Sequence, residues 1–241
     1  MTSRAPGPSV RLGVLVPSSN SNAESSIQQM LAGQEDVAAH VSRFRLPASL
    51  GDRIDADVLG EAPALLADVE PDAVAFHGTS GSWTGFDGDR LLCEQLTAVV
   101  GAPATTATLA ARAALDALGL NSVGLVFPGP RGIAEEIVAQ YEADGIRMPV
   151  LSAPEVELAN AEIARVSDDW IDALMRPAFS GEVDGVLCIG TNLRSAYRVE
   201  EFEAEFGIPV IDSATATLWH LLQLAGAARP VPGWGSLLAR G

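Results

Sequence analysis

Four short loops hold the residues best suited by type to do chemistry: Pro17-Ser18-Ser19-Asn20, Gly78-Thr79-Ser80, Pro128-Gly129 and Gly190-Thr191-Asn192. All are built from small residues. Each stands just before or at the start of a helical stretch, where unpaired backbone N–H groups and hydroxyls converge on anions. The chemistry this predicts is recognition of a small carboxylate. Ser18, Ser19 and Asn20 also suit a second task, capping the helix that follows, and the two tasks are compatible.

Two groups beside these loops are candidates for moving a proton. His77 immediately precedes Gly78, and an imidazole titrates near neutral pH. Strand alternation aims it to the face opposite residue 78, where a hydrogen bond to a neighbouring helix is the other reading. Cys188 precedes Gly190 by two residues and shares its face. Its thiol is expected either to floor the pocket or to pack as a small hydrophobe. Cys93 falls in the apolar stretch Leu91 to Val100 and reads as core. Asp212 and Ser213 follow the last strand-like run and border the same region, while Trp83 and Trp219 read as packing residues.

Composition removes other chemistries. The 241 residues include 15 basic side chains, all Arg, so Schiff bases and a phosphate-loop lysine are excluded. Two cysteines make neither a disulfide framework nor a zinc cluster, and three scattered histidines predict no metal site. No cofactor is expected. A net charge of −16 argues against nucleic acid as a partner. No apolar run reaches the roughly 18 residues of a membrane helix, and Met1 to Ser9 is too polar for a signal peptide. The expected address is the cytoplasm, away from any membrane.

The elements that must position the loops come as a duplication. Asp72-Ala-Val-Ala-Phe-His-Gly78-Thr79 is echoed by Asp184-Gly-Val-Leu-Cys-Ile-Gly190-Thr191. The apolar run before Pro17 is matched by the run before Pro128, and a helical stretch follows each. Gly101-Ala-Pro103 pairs with Gly207-Ile-Pro209, each leading into a short strand and a helix containing Ala-Thr-Leu. Buried strands alternating with helices predict an α/β protein of two pseudo-twofold-related half-domains, with parallel sheets flanked by helices. The first half is expected over 8–115 and the second over 116–215, with 214–228 packing back on the first. Residues 229–241, rich in Pro and Gly, read as a C-terminal surface extension. Ligands of such sheets sit beyond the carboxyl ends of the strands, where all four loops fall.

Set on this frame, the loops resemble those of the aspartate/glutamate racemase superfamily, and within it the maleate cis-trans isomerase and arylmalonate decarboxylase branch. The resemblance is carried by Val16 to Asn20, Thr79-Ser80-Gly81-Ser82, Ile163 to Ser167, Thr191-Asn192-Leu193-Arg194 and Ala216 to Trp219. It implies an Asp/Glu racemase-like fold with a small mono- or dicarboxylate between the halves. The residues it implies around that substrate are Pro17, Ser18, Ser19, Asn20, Gly78, Thr79, Ser80, Gly129, Asn160, Gly190, Thr191 and Asn192. A homo-oligomer is also expected from it.

The same resemblance implies two catalytic thiols, one just before Thr79 and one just before Thr191. Both positions here are glycine, Gly78 and Gly190. The tyrosine that such relatives carry corresponds to Gly129, so a larger pocket is expected. Racemisation needs two bases and maleate isomerisation a nucleophile. The expected chemistry is therefore decarboxylase or lyase type through a stabilised enediolate, with water or His77 supplying the proton. An isomerase of non-standard mechanism and a carboxylate-binding relative without catalysis are the alternatives.

Overall fold

The computed structural model describes residues 7–47 and 49–241, and within them eight strands form two four-stranded sheets. β1 (Val10–Pro17), β2 (Val37–Phe44), β3 (Ala73–Phe76) and β4 (Ala104–Thr106) lie in the order β2-β1-β3-β4. β5 (Ser122–Val126), β6 (Arg147–Ser152), β7 (Gly185–Cys188) and β8 (Val210–Asp212) repeat it as β6-β5-β7-β8. Every pairing is parallel. β3, β5, β7 and β8 are buried along their whole length, as sheets covered on both faces require. The α/β duplication read from the sequence is thus the architecture.

Register brings the strand ends level. Leu15 pairs with Phe76 and Phe76 with Thr106 in one sheet; Val126 pairs with Cys188 and Cys188 with Asp212 in the other. The last residue of each final strand then caps the helix that follows. Thr106 Oγ1 accepts from the Leu109 amide, and Asp212 Oδ1 accepts from the Ala214 and Thr215 amides.

Those two helices, Ala107–Leu118 and Ser213–Leu224, pack against each other and are exchanged between the sheets. Ala110, Ala111, Ala114 and Leu115 join the core built on Val123, Leu125 and Leu187 of the second sheet. Leu218, Leu221 and Leu222 join the core built on Leu12, Val14 and Ala75 of the first. At about 1.5–3 kcal/mol for each buried leucine, this reciprocal exchange ties the halves with substantial apolar energy. The sequence predicted only the second half of the exchange.

Two local features complete the frame. A Cβ at Gly124 would run into the Ala178 carbonyl oxygen, so the glycine lets the 3-10 turn Arg176–Phe179 lie directly on β5. Residues 229–241 are more than a surface extension: Val231, Leu237 and Leu238 are buried in the two cores, and Glu203 accepts from the Ser236 amide. Among the described residues no helix is long and apolar enough to cross a membrane.

Candidate active site between the two sheets

A cavity of about 200 Å³ opens where the strand-end loops meet. Of the residues expected there, Pro17, Asn20, Gly78, Thr79, Ser80, Gly129, Asn160, Gly190, Thr191 and Asn192 line it. Ser18 and Ser19 do not; they are exposed at its edge and contribute through backbone and hydroxyl bonds to their neighbours.

His77 and Cys188 also lie off the wall. The His77 ring is fully buried on the opposite face of β3, as alternation required, and neither ring nitrogen has a hydrogen-bond partner among the described residues. Burial pushes its pKa down to about 4, so the ring is neutral at physiological pH. Cys188 packs among Val126, Val186 and Phe202, and burial, with Asp212 nearby, drives its thiol well above the ordinary range. A buried thiol of that kind is a packing group, not a nucleophile. Neither group expected to move a proton therefore reaches the cavity.

The polar loops divide into two kinds. One kind clasps the halves together. Asn20 Nδ2 donates to Thr191 Oγ1 (3.2 Å), which donates in turn to the His77 carbonyl (3.1 Å). The Ser21 amide donates to Asn192 Oδ1 (3.1 Å), and Asn22 Nδ2 to the Asn192 carbonyl (2.7 Å). Asn192 Nδ2 reaches the Asn160 carbonyl at 2.7 Å, and Asn160 Nδ2 reaches Ser19 Oγ at 2.7 Å. Asn20 Oδ1 also accepts from the Asn22 and Ala23 amides, so the capping role read from the sequence belongs to Asn20. These side chains, expected to hold substrate, spend their hydrogen bonds on one another.

The other kind is uncommitted. Among the described residues, the amides of Thr79, Ser80, Thr191 and Asn192 donate to no protein acceptor, and the hydroxyls of Thr79 and Ser80 are equally unengaged. Thr79 to Ser82 enters a short helix, and a Cβ at Gly81 would run into the Asp89 carboxylate beneath it. Asp89 also accepts from Thr106 Oγ1. In the second half the same pair is reversed: Ser195 Oγ donates to Asp212 at 2.5 Å, again across 17 residues. Acid and hydroxyl have traded places between helix and strand end. Burial raises both carboxyls to about 6, opposed by their hydrogen bonds.

The rest of the wall is apolar, and sequence reasoning named only Pro128 of it, with Trp83 read as a packing residue. Phe76, Trp83, Phe127 and Pro128 line the cavity together with Leu46, Leu50 and Ile54 from the β2 exit loop. Trp83 packs on Phe127 with ring centroids 5.8 Å apart, and its indole N–H donates to the Leu50 carbonyl at 2.7 Å. Asp52 is the one ionisable side chain among the described lining residues. The expected enlargement at the glycines is absent. A Cβ at Gly78 would stand 2.5 Å from Phe76 Cζ, and one at Gly129 would stand 2.6 Å from Phe127 Cε1. At Gly190, φ is +136° and Pro128 Cγ lies 3.0 Å from a Cβ position. Each aromatic ring precedes its glycine by two residues, the same-face spacing of a strand, which was the signal available.

A family profile described as arylmalonate decarboxylase matches residues 12–238. Maleate isomerase from Nocardia farcinica is 29% identical over 239 residues, spanning 95% of each chain. A crystal structure of maleate isomerase from Pseudomonas putida with maleate aligns at TM-score 0.86 and 25% identity, covering 95% of this chain and 97% of that one. A Nocardia farcinica maleate cis-trans isomerase variant with a covalently bound succinylcysteine intermediate aligns at TM-score 0.84 and 26% identity, covering 96% and 99%. The fold is therefore Asp/Glu racemase-like, and the chain belongs to the arylmalonate decarboxylase family.

Proposed function

We propose that this protein is a cofactor-independent decarboxylase acting on a malonate-type acid that bears an apolar substituent. The observation that carries the reading is the composition of one cavity. Uncommitted amides from both halves share it with Phe76, Trp83 and Phe127, and among the described lining residues there is no cysteine, histidine or arginine. The amides and the Thr79 and Ser80 hydroxyls hold the carboxylate that stays, while the aromatic wall takes the substituent. The bond from the central carbon to the second carboxylate breaks, carbon dioxide leaves, and the electron pair is delocalised into the retained carboxylate as an enediolate. Donors fixed in advance stabilise that charge as it develops. Water supplies the proton that ends the reaction, since the loss of carbon dioxide needs no enzyme base.

The isomerase reading is weaker on the same ground. The Nocardia relative has been captured with a covalently bound succinylcysteine. Here, glycine stands at the two positions where the family resemblance implies thiols, and Phe76 and Pro128 fill the space beside them. Incubation with phenylmalonate in deuterium oxide, followed by proton NMR, tests the proposal. Phenylacetate carrying one deuterium at the central carbon is the expected product. Binding of phenylmalonate without turnover supports the non-catalytic alternative, and fumarate formed from maleate overturns the decarboxylase reading.

A further inference from the structure

We propose that the adjacent residues Asp212 and Ser213 are positioning residues that fix both ends of the loop Gly190–Ser195, and with it the amides of Thr191 and Asn192. The inference rests on the reading above that these amides hold a carboxylate, and adds what keeps them in place. Ser213 Oγ accepts from the Gly190 amide at 3.1 Å, at the start of the loop. Asp212 Oδ2 accepts from Ser195 Oγ at 2.5 Å, at its end. Two neighbouring side chains at the junction of β8 and the next helix thus staple a six-residue loop that holds the lining residues Gly190, Thr191, Asn192 and Leu193.

The staple is itself immobilised. Asp212 Oδ1 accepts from the Ala214 and Thr215 amides at 2.8 and 3.2 Å, and the Ser213 carbonyl accepts from Thr217 Oγ1 at 2.6 Å. Both side chains are fully buried. The loop is therefore referenced to the first turn of the Ser213–Leu224 helix, which packs on the opposite sheet. Gly190 matters here for a second reason. Its N–H is turned to Ser213 and its φ of +136° redirects the chain after it, leaving the next two amides uncommitted. Donors act well on developing charge only when they need not reorganise, and that requires supports of this kind.

The first half offers an internal comparison. There Asp89 accepts from Thr106 Oγ1 and packs under Gly81, while Ala107 occupies the place of Ser213 and offers no acceptor. Among the described residues only the second-half loop is held at both ends by neighbouring side chains, so it is the more fixed of the two donor sets.

The test uses the full chain and three variants, Ser213→Ala, Asp212→Ala and Asp212→Asn. Asparagine keeps the capping oxygen and can donate from Nδ2 to Ser195, so it is the rescue. Hydrogen–deuterium exchange by mass spectrometry reads the loop directly, and calorimetric titration with malonate reads its use. Ser213→Ala and Asp212→Ala are expected to raise exchange of the bonded loop amides, Gly190 and Leu193, at least tenfold and to weaken malonate binding at least tenfold, with Asp212→Asn within threefold of the parent. Should Asp212→Ala fail to fold, Ser213→Ala and Asp212→Asn carry the comparison. Folded Ser213→Ala protein with parental loop exchange and parental malonate affinity overturns the proposal. If the parent binds no malonate, the carboxylate reading fails, and loop exchange alone then decides whether the staple exists.

Discussion

The ring of Phe76 occupies the volume into which a side chain at Gly78 would project, with Cζ 2.5 Å from the Cβ position. Glycine and phenylalanine are thus one packing unit on a single strand face. Gly78→Ala is expected to cost about 1–3 kcal/mol by overpacking. In a Phe76→Leu background the same substitution should cost less, giving a coupling of about 0.5–3 kcal/mol in a double-mutant cycle read by urea denaturation. Additive costs would show that the ring yields freely and that the pair is not coupled.

At Gly190 the obstacle is the backbone before it is the space. A φ of +136° disfavours any side chain, and Pro128 Cγ stands 3.0 Å from the Cβ position. Gly190→Ala and Gly190→Cys should each lose about 1–3 kcal/mol, the usual range for a residue held in a sparsely populated conformation. Thermal unfolding of the two variants checks this, and a cysteine variant as stable as the parent would refute it.

Thr191 is the pivot of the clasp. Thr191→Val leaves Asn20 Nδ2 and the His77 carbonyl without their present partner and should cost about 1–3 kcal/mol, whereas Thr191→Ser keeps the hydroxyl and should stay within about 1 kcal/mol of the parent. Chemical denaturation of the pair distinguishes the hydroxyl from the methyl.

Buried titratable groups give a signed pH dependence. Asp89 and Asp212 rise from 3.8 to about 6 on burial, so each contributes stability that is complete below about pH 3.8 and lost as pH rises through 6. His77 falls from 6.5 to about 4; its contribution is complete above about pH 6.5 and lost as pH falls towards 4. Relative to the parent, Asp212→Asn should therefore gain stability between pH 4 and 7, and His77→Gln should gain it as pH falls over the same window. Denaturation at pH 4.5, 5.5 and 7 measures both slopes, and parallel curves would contradict the assignment.

Much of this molecule was legible before its coordinates. The duplicated phrases at Asp72 and Asp184, and the prolines at 17 and 128, mark strand ends, because a buried parallel strand leaves an unbroken apolar run that stops at small residues. The loops that line the cavity followed from that. The Phe76 and Phe127 rings were legible in principle from their spacing but were hidden by attention to the loops alone. Some features were not legible at all. Side chains such as Asn20, Asn160 and Asn192 have the types of a binding site, yet each has a partner in a segment more than 100 residues away. The exchange of the Ala107–Leu118 helix is equally silent, since an amphipathic face does not record which sheet it will cover.

The asparagine clasp has a further consequence for traffic. Because Asn20, Asn22, Thr191 and Asn192 bolt one half to the other, hinge opening between the sheets would have to break the whole set at once. The β2 exit loop lines the cavity through Leu46, Leu50, Asp52 and Ile54 and, among the described residues, is tied to Trp83 by one hydrogen bond, from the indole N–H to the Leu50 carbonyl. Any displacement of that loop would break the bond to the Trp83 indole, so a change in tryptophan fluorescence on adding malonate is the expected sign that the loop moves.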